Sequence, residues 1–184
     1  MHHTFTFFGY GSLVNTGSHT EAYENPTPAK VEGWARTWRQ DASWPYAILT
    51  AIPAPDQILH GLTASLPGAD WSILDAREAG YDRVMTEVAG APTAIYTIPE
   101  SRHANHATPR PILLSYLDVV VQGYHQVYGE RGVADFFATT SRWETPVLND
   151  RAKPLYPRAQ ILTKAETQLV DSHLNRLSAR VDQL

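Results

Sequence analysis

Hydrophobic and polar positions change period along this chain, from alternation in the first half to steps of three and four in the last third. Phe5-Thr6-Phe7-Phe8 is aromatic and β-branched and predicts a buried first strand, which runs into the turn Gly9-Tyr10-Gly11-Ser12-Leu13. Residues 15–28 are polar with Gly17, Pro26 and Pro28, and predict a loop with a short helical piece. In 29–39, Val31, Gly33, Ala35 and Thr37 alternate with Glu32, Trp34, Arg36 and Trp38. Both sets carry bulky residues, so this strand is expected to be covered on both faces, with Gly33 marking a bulge or bend. Residues 46–52 and 58–66 predict two more strands, antiparallel because the turn through Pro53, Pro55 and Asp56 is short.

The period then shifts. Pro67-Gly68-Ala69-Asp70 is a turn, with Asp70 as N-cap of a short helix. Trp71, Leu74 and Ala79 are its inner side and Gly80 is its C′ stop. Residues 81–88 and 93–98 are strand-like, turned by Gly90 and Pro92, and 99–111 is a polar loop. Leu113, Tyr116, Leu117, Val120, Tyr124 and Val127 have the spacing of an amphipathic helix. Glycines at 129 and 132 break it before a second short helix through Val133, Phe136 and Phe137. Residues 141–158 form a long ordered loop with three prolines. Thr163-Lys164-Ala165-Glu166 is a capping box opening a last helix whose inner face is Val170, Leu174, Leu177, Val181 and Leu184. Six β-type segments followed by helices predict an α+β fold with a curved or closed, mostly antiparallel sheet. No repeat or linker divides the chain, so 1–184 is expected to be one domain.

Composition removes several function classes. Net charge is −4, without the basic footprint of a nucleic-acid or anionic-lipid binder. The absence of cysteine excludes disulfides, thiolate metal sites and Cys nucleophiles. Met1-His2-His3 leads straight into the first strand with no signal-peptide pattern, and no apolar run reaches the ~20 residues of a membrane span. A cytoplasmic protein is the expectation.

Two stretches carry candidate chemistry. The Gly9–Leu13 turn reads either as a plain tight turn or as a cradle whose successive N–H groups hold a carboxylate. Val14 stands where a dinucleotide fingerprint needs a third glycine, and no P-loop Lys-Ser or Lys-Thr follows. In Leu74-Asp75-Ala76-Arg77-Glu78-Ala79-Gly80-Tyr81-Asp82-Arg83, Glu78 is either a solvated helix-end residue or a general base. The negative end of the helix and partial burial would raise its pKa, with Arg77 and Arg83 opposing. Ser12 lacks the nucleophile elbow of hydrolases. His103 and His106 are three apart but have only Glu100 nearby as a carboxylate, and read as a solvated loop. Asp150-Arg151 and Tyr156–Arg158 either close over a site or, the preferred reading, lock the long loop onto the barrel. Trp34, Trp38, Trp44 and Trp71 read as core.

Phe8-Gly9-Tyr10-Gly11-Ser12-Leu13 resembles the Tyr-Gly-Ser-Leu turn of the γ-glutamylcyclotransferase-like superfamily, and Leu74-Asp75-x-x-Glu78-x-x-Tyr81-x-Arg83 resembles its catalytic-glutamate segment. Val31-Glu32-Gly33-Trp34-Ala35-Arg36 is similar to its second strand, and Ser115-Tyr116-Leu117 with Gly123 to a helix near its site. These pieces stand in the family's order over about residues 5–130, whereas 149–158 looks like an extension of bacterial members. The resemblance implies a mixed, mostly antiparallel β-barrel with surrounding helices and a C-terminal helix. It implies an enzyme that binds a small γ-glutamyl amide through Tyr10, Gly11, Ser12, Leu13 and Tyr116, with Glu78 as catalytic acid/base. The products are 5-oxoproline and a free amine or amino acid, and no cofactor or metal is called for. Ser12 or a turn N–H is the expected oxyanion donor, with Tyr116 second. Two alternatives stand beside it: a non-catalytic carboxylate-binding module, and a cyclotransferase acting on a γ-glutamyl-protected biosynthetic intermediate.

Overall fold

Phe7 and Phe8 show what kind of strand opens the sheet. In the computed structural model, which describes residues 5–184, both are fully buried although adjacent side chains of a strand point to opposite faces. Phe8 enters the main core with Val120, Tyr124 and Phe136, and Phe7 enters a second core with Leu13, Leu74 and Tyr96. A strand packed on both faces is central, and the order β4-β5-β1-β3-β2-β6 places it so. The expectation of no signal peptide at Met1-His2-His3 lies outside the described residues.

The strands are β1 (Phe5–Gly9), β2 (Glu24–Asp41), β3 (Ile48–Leu66), β4 (Asp82–Val88), β5 (Ala91–Thr97), β6 (His103–Ala104), β7 (Ile112–Leu113), β8 (Thr140–Ser141), β9 (Val147–Asn149) and β10 (Val181–Gln183). The helices are α1 (Ser72–Arg77), α2 (Leu114–Thr139) and α3 (Lys164–Arg176). β1 pairs antiparallel with β3 and parallel with β5, and β8 joins the other side of β2 in parallel. β7, β9 and β10 form a small parallel sheet of their own. The main sheet is curled and mostly antiparallel. Its distant strands β2 and β4 approach each other where Trp34 Nε1 donates to Thr86 Oγ1 at 3.1 Å. This is the predicted α+β architecture with a C-terminal helix.

Three local expectations are corrected. Residues 46–52 and 58–66 are not two strands: β3 runs unbroken through Pro53 and Pro55 beside β2. The register shifts between Glu32 and Trp34, where Gly33 (φ 81°) faces the extra residues of β3, so Asp56 lies in a bulge and not in a turn. Proline is tolerated there because a bulge leaves N–H groups unpaired and both prolines face solvent. The bend brings the first arm of β3 over the ends of β1 and β5, where Ile98 N donates to Thr50 Oγ1 at 2.9 Å. Second, the capping box at Thr163 and Glu166 forms, but α3 stops at Arg176. Ser178 takes a left-handed φ of 52°, and the following residues pair with β9 instead. Val170 and Leu174 are core, whereas Leu177, Val181 and Leu184 are exposed. Third, Gly80 is not a left-handed helix stop. Trp44 packs on it so closely that a Cβ there would lie 2.6 Å from the indole ring.

α2 breaks at Gly129 (φ 68°), as its glycines predict. Among the described residues no helix is long and apolar enough to cross a membrane.

Candidate active site

β1 ends at the glycine turn, α1 ends at Glu78 and α2 begins near Tyr116, and all three ends line one cavity under the first arm of β3. The turn is a single 3-10 turn over Ser12–Val14, with Val14 N donating to Gly11 O at 3.0 Å and Asn15 N to Ser12 O at 3.1 Å. The N–H groups of Gly11, Ser12 and Leu13 come before the first acceptors such a turn supplies, as at any helix start. Among the described residues none of the three donates to a backbone acceptor, and the Ser12 N–H faces the Tyr116 hydroxyl. The Tyr116 hydroxyl stands against this backbone, 2.7 Å from where a Cβ on Gly11 would be, so only glycine admits the approach. Asn15 pins the turn to α2: its Nδ2 donates to Val119 O at 2.9 Å and Gln122 Oε1 at 3.0 Å, fully buried. Sequence reasoning passed over Asn15, which follows the recognisable turn and reads as loop polarity.

Glu78 occupies the C-cap of α1. Its N–H donates to Leu74 O at 2.9 Å and its carbonyl accepts from Tyr81 N at 2.7 Å. Leu74, fully buried against Phe7 and Leu13, fixes the helix to the sheet beneath the turn. The Glu78 side chain is 15 % exposed, and Oε1 lies 3.3 Å from Arg77 Nε. Burial pushes its carboxyl above the usual range, while the Arg77 and Arg158 charges pull it back. Arg77, 1 % exposed, is also held by Glu21 at 3.2 Å and by Ser18 O at 3.1 Å. Arg83 does not act on Glu78 as expected: it pairs with Asp75 and lies over the Trp71 ring.

The cavity has two lobes. The small one, about 30 Å³, is walled by the Gly9–Leu13 turn, and the larger, about 130 Å³, extends toward Trp44, Tyr156 and Arg158. Ser12, Leu49, Glu78, Tyr81 and Tyr116 line both. Burial pushes the phenols of Tyr81 and Tyr116 far up, so both remain neutral donors at physiological pH. Tyr81 donates to Leu49 O at 2.9 Å. The Tyr10 hydroxyl donates to Tyr96 O at 2.5 Å, so only its backbone and ring flank the small lobe.

The 150–158 loop divides the roles proposed for it. Asp150, fully buried, accepts from Ser115 N at 2.8 Å, Ser115 Oγ at 2.5 Å and Leu155 N at 2.9 Å, capping the start of α2. Arg151 forks onto Asp118 at 2.7 Å and reaches Asp171 at 2.8 Å. These two lock the loop. Tyr156 and Arg158 instead wall the cavity, Tyr156 edge-on to Tyr116 at 5.0 Å. Trp44 is likewise a rim residue and not core. Asp150→Ala is expected to cost about 2–4 kcal/mol, because it strips two buried donors of Ser115 and the part-buried Leu155 N–H of their acceptor. Denaturant unfolding measures it, and a cost under about 0.5 kcal/mol would contradict the locking role. His103 Nε2 lies 2.9 Å from Ile98 O, and among the described residues no three His, Asp or Glu side chains converge as metal ligands would.

No family model matches the chain, and no curated protein matches it in sequence. Solved structures do. One described as a gamma-glutamyl cyclotransferase aligns over 92 % of this chain and 99 % of its own, with TM-score 0.60 and 13 % identity. An uncharacterized protein from Homo sapiens aligns over 91 % and 98 %, with TM-score 0.59 and 13 % identity. YkqA from Bacillus subtilis aligns over 72 % of this chain and 52 % of its own, with TM-score 0.54 and 16 % identity. The chain therefore has the γ-glutamylcyclotransferase-like fold.

Proposed function

We propose that this chain is a cyclotransferase that converts a small γ-glutamyl amide to 5-oxoproline and a free amine, with Glu78 as acid/base. The observation that carries this is the small lobe, where a shielded carboxylate lines the same space as a turn whose Gly11 and Leu13 N–H groups have no backbone acceptor. In this reading the turn holds the substrate α-carboxylate. The neutral α-amine attacks the γ-carbonyl carbon, forming the ring C–N bond. Glu78 accepts the proton that this nitrogen sheds and delivers it to the departing nitrogen as the original C–N bond breaks. One proton moves and none is gained or lost. The attack is intramolecular, so fixing a near-attack conformer supplies much of the acceleration and no protein nucleophile is required. Ser12 N–H and the neutral Tyr116 hydroxyl are the donors for the developing oxyanion.

The test is 5-oxoproline release from a panel of γ-glutamyl amino acids, peptides and amines. No product from any of them with folded protein overturns the reading. Calorimetric binding of glutamate without turnover would instead favour a carboxylate-binding module. The pH profile is a second test. A base must be ionised, and burial raises the Glu78 carboxyl of the free protein, so kcat/KM is expected to fall on the acid side through a pKa above the ordinary 4.5. An acid limb at or below 4.5 would contradict Glu78 as the base.

A further inference from the structure

Arg158 is a cation with no direct partner at the far end of the site, its charge felt by Glu78 only from beyond ion-pair distance. Arg77, which shares the cavity, is paired with Glu21 and Glu78, and Arg151 of the same loop is paired away from it with Asp118 and Asp171. Among the described residues the half-buried Arg158 guanidinium makes no hydrogen bond and no ion pair. A half-buried guanidinium with no direct partner is poised for an anion, and its planar fork suits a carboxylate.

Its position says which anion. Arg158 does not touch the small lobe at the turn. It lines the large lobe and the open depression beyond it, beside Glu21, Ser72 and Arg77. Glu78 stands between the two ends, lining both lobes. A substrate with its α-carboxylate on the turn and its γ-carbonyl at Glu78 directs its leaving group toward Arg158. Around that path Trp44, Tyr46 and Tyr156 present aromatic walls.

We infer that Arg158 binds a carboxylate on the leaving group, so that the preferred substrate is a γ-glutamyl amino acid with an apolar side chain rather than a γ-glutamyl amine. This rests on the cyclotransferase reading of the site. Arg158 acts as a specificity residue: it binds the part of the substrate that departs, and Glu78 performs the proton transfer.

Two compounds differing only in that carboxylate test it: γ-glutamyl-leucine and γ-glutamyl-3-methylbutylamide. Wild-type protein is expected to favour the acid by about 10- to 100-fold in kcat/KM, the range of a charge-assisted hydrogen bond. Arg158→Met should erase the preference by raising KM for the acid far more than for the amide, and Arg158→Lys should restore part of it. Equal use of both compounds by the wild type overturns the inference, as does an equal loss on both in Arg158→Met protein that melts like the wild type. If neither these compounds nor any member of the γ-glutamyl panel yields 5-oxoproline, the cyclotransferase reading fails by itself. Calorimetry on the same proteins then decides the Arg158 assignment. Affinity that depends on the leaving-group carboxylate and is lost in Arg158→Met upholds it, and equal affinities overturn it.

Discussion

Glu78→Gln is expected to lower turnover of any γ-glutamyl amide that the wild type processes by about 10²- to 10⁴-fold, the usual worth of a positioned acid/base. The substitution keeps the shape and a hydrogen-bonding oxygen but removes the proton acceptor. Stability should not fall at neutral pH. Burial raises the Glu78 carboxyl in the folded state above its unfolded value of about 4.5. Below the unfolded value the group is protonated in both states. As pH rises through the folded value, ionisation costs more folded than unfolded, and stability is lost. Glutamine does not ionise, so that loss disappears, and Arg77 retains Glu21 as a partner. Thermal melts between pH 4 and 8 should therefore show the variant at least as stable as the wild type at the upper end. Full activity in Glu78→Gln would remove Glu78 from the mechanism.

Arg36→Met carries the largest expected cost in stability. Arg36 is 1 % exposed, and no carboxylate pairs with it among the described residues. Neutral groups surround it instead. Nε donates to Thr140 Oγ1 at 2.9 Å and Nη2 to Thr139 Oγ1 at 3.0 Å. Nη1 reaches the Tyr124 hydroxyl and the carbonyls of Tyr10 at 3.3 Å and His60 at 3.4 Å. The guanidinium lies over the rings of Tyr124 at 4.9 Å and Phe136 at 4.5 Å. Methionine fills similar space but strips the buried Thr140 Oγ1 of its donor and leaves the Tyr10 and His60 carbonyls to share the single Tyr124 hydroxyl. The expected loss is about 3–5 kcal/mol, or a Tm about 10 °C lower. Since Tyr10 O is one of the acceptors, the turn should loosen too, and KM for a γ-glutamyl amide should rise. A loss under about 1 kcal/mol would mean that the polar knot contributes little.

Much of the fold is legible in short stretches. The aromatic run into β1, the break of α2 at its glycines and the capping box at Thr163 are local matters of side-chain shape, backbone freedom and neighbouring hydrogen bonds. Pro53 and Pro55 misled for an instructive reason. A proline ends a strand only where its missing N–H is needed, and the neighbour across the bulge decides that. Leu177, Val181 and Leu184 continue the helical period of α3, but the edge of β9 takes the chain instead. Trp44 reads as core by residue type, yet it covers Gly80 at the cavity rim.

The candidate site divides the same way. The glycine turn, Glu78 and Tyr116 stand out in the sequence because each lies in a patterned local segment. By itself the sequence determined the α+β class, the turn that follows β1 and the carboxylate at the end of α1. Only the tertiary structure decided that these share one cavity, that Arg77 is in direct ion pairs while Arg158 is not, and that the Tyr10 phenol turns away to Tyr96. The physical reason is that propensity and turn chemistry depend on the next few residues. Burial and charge pairing depend on whichever segments the fold brings together, and those come from every part of this chain.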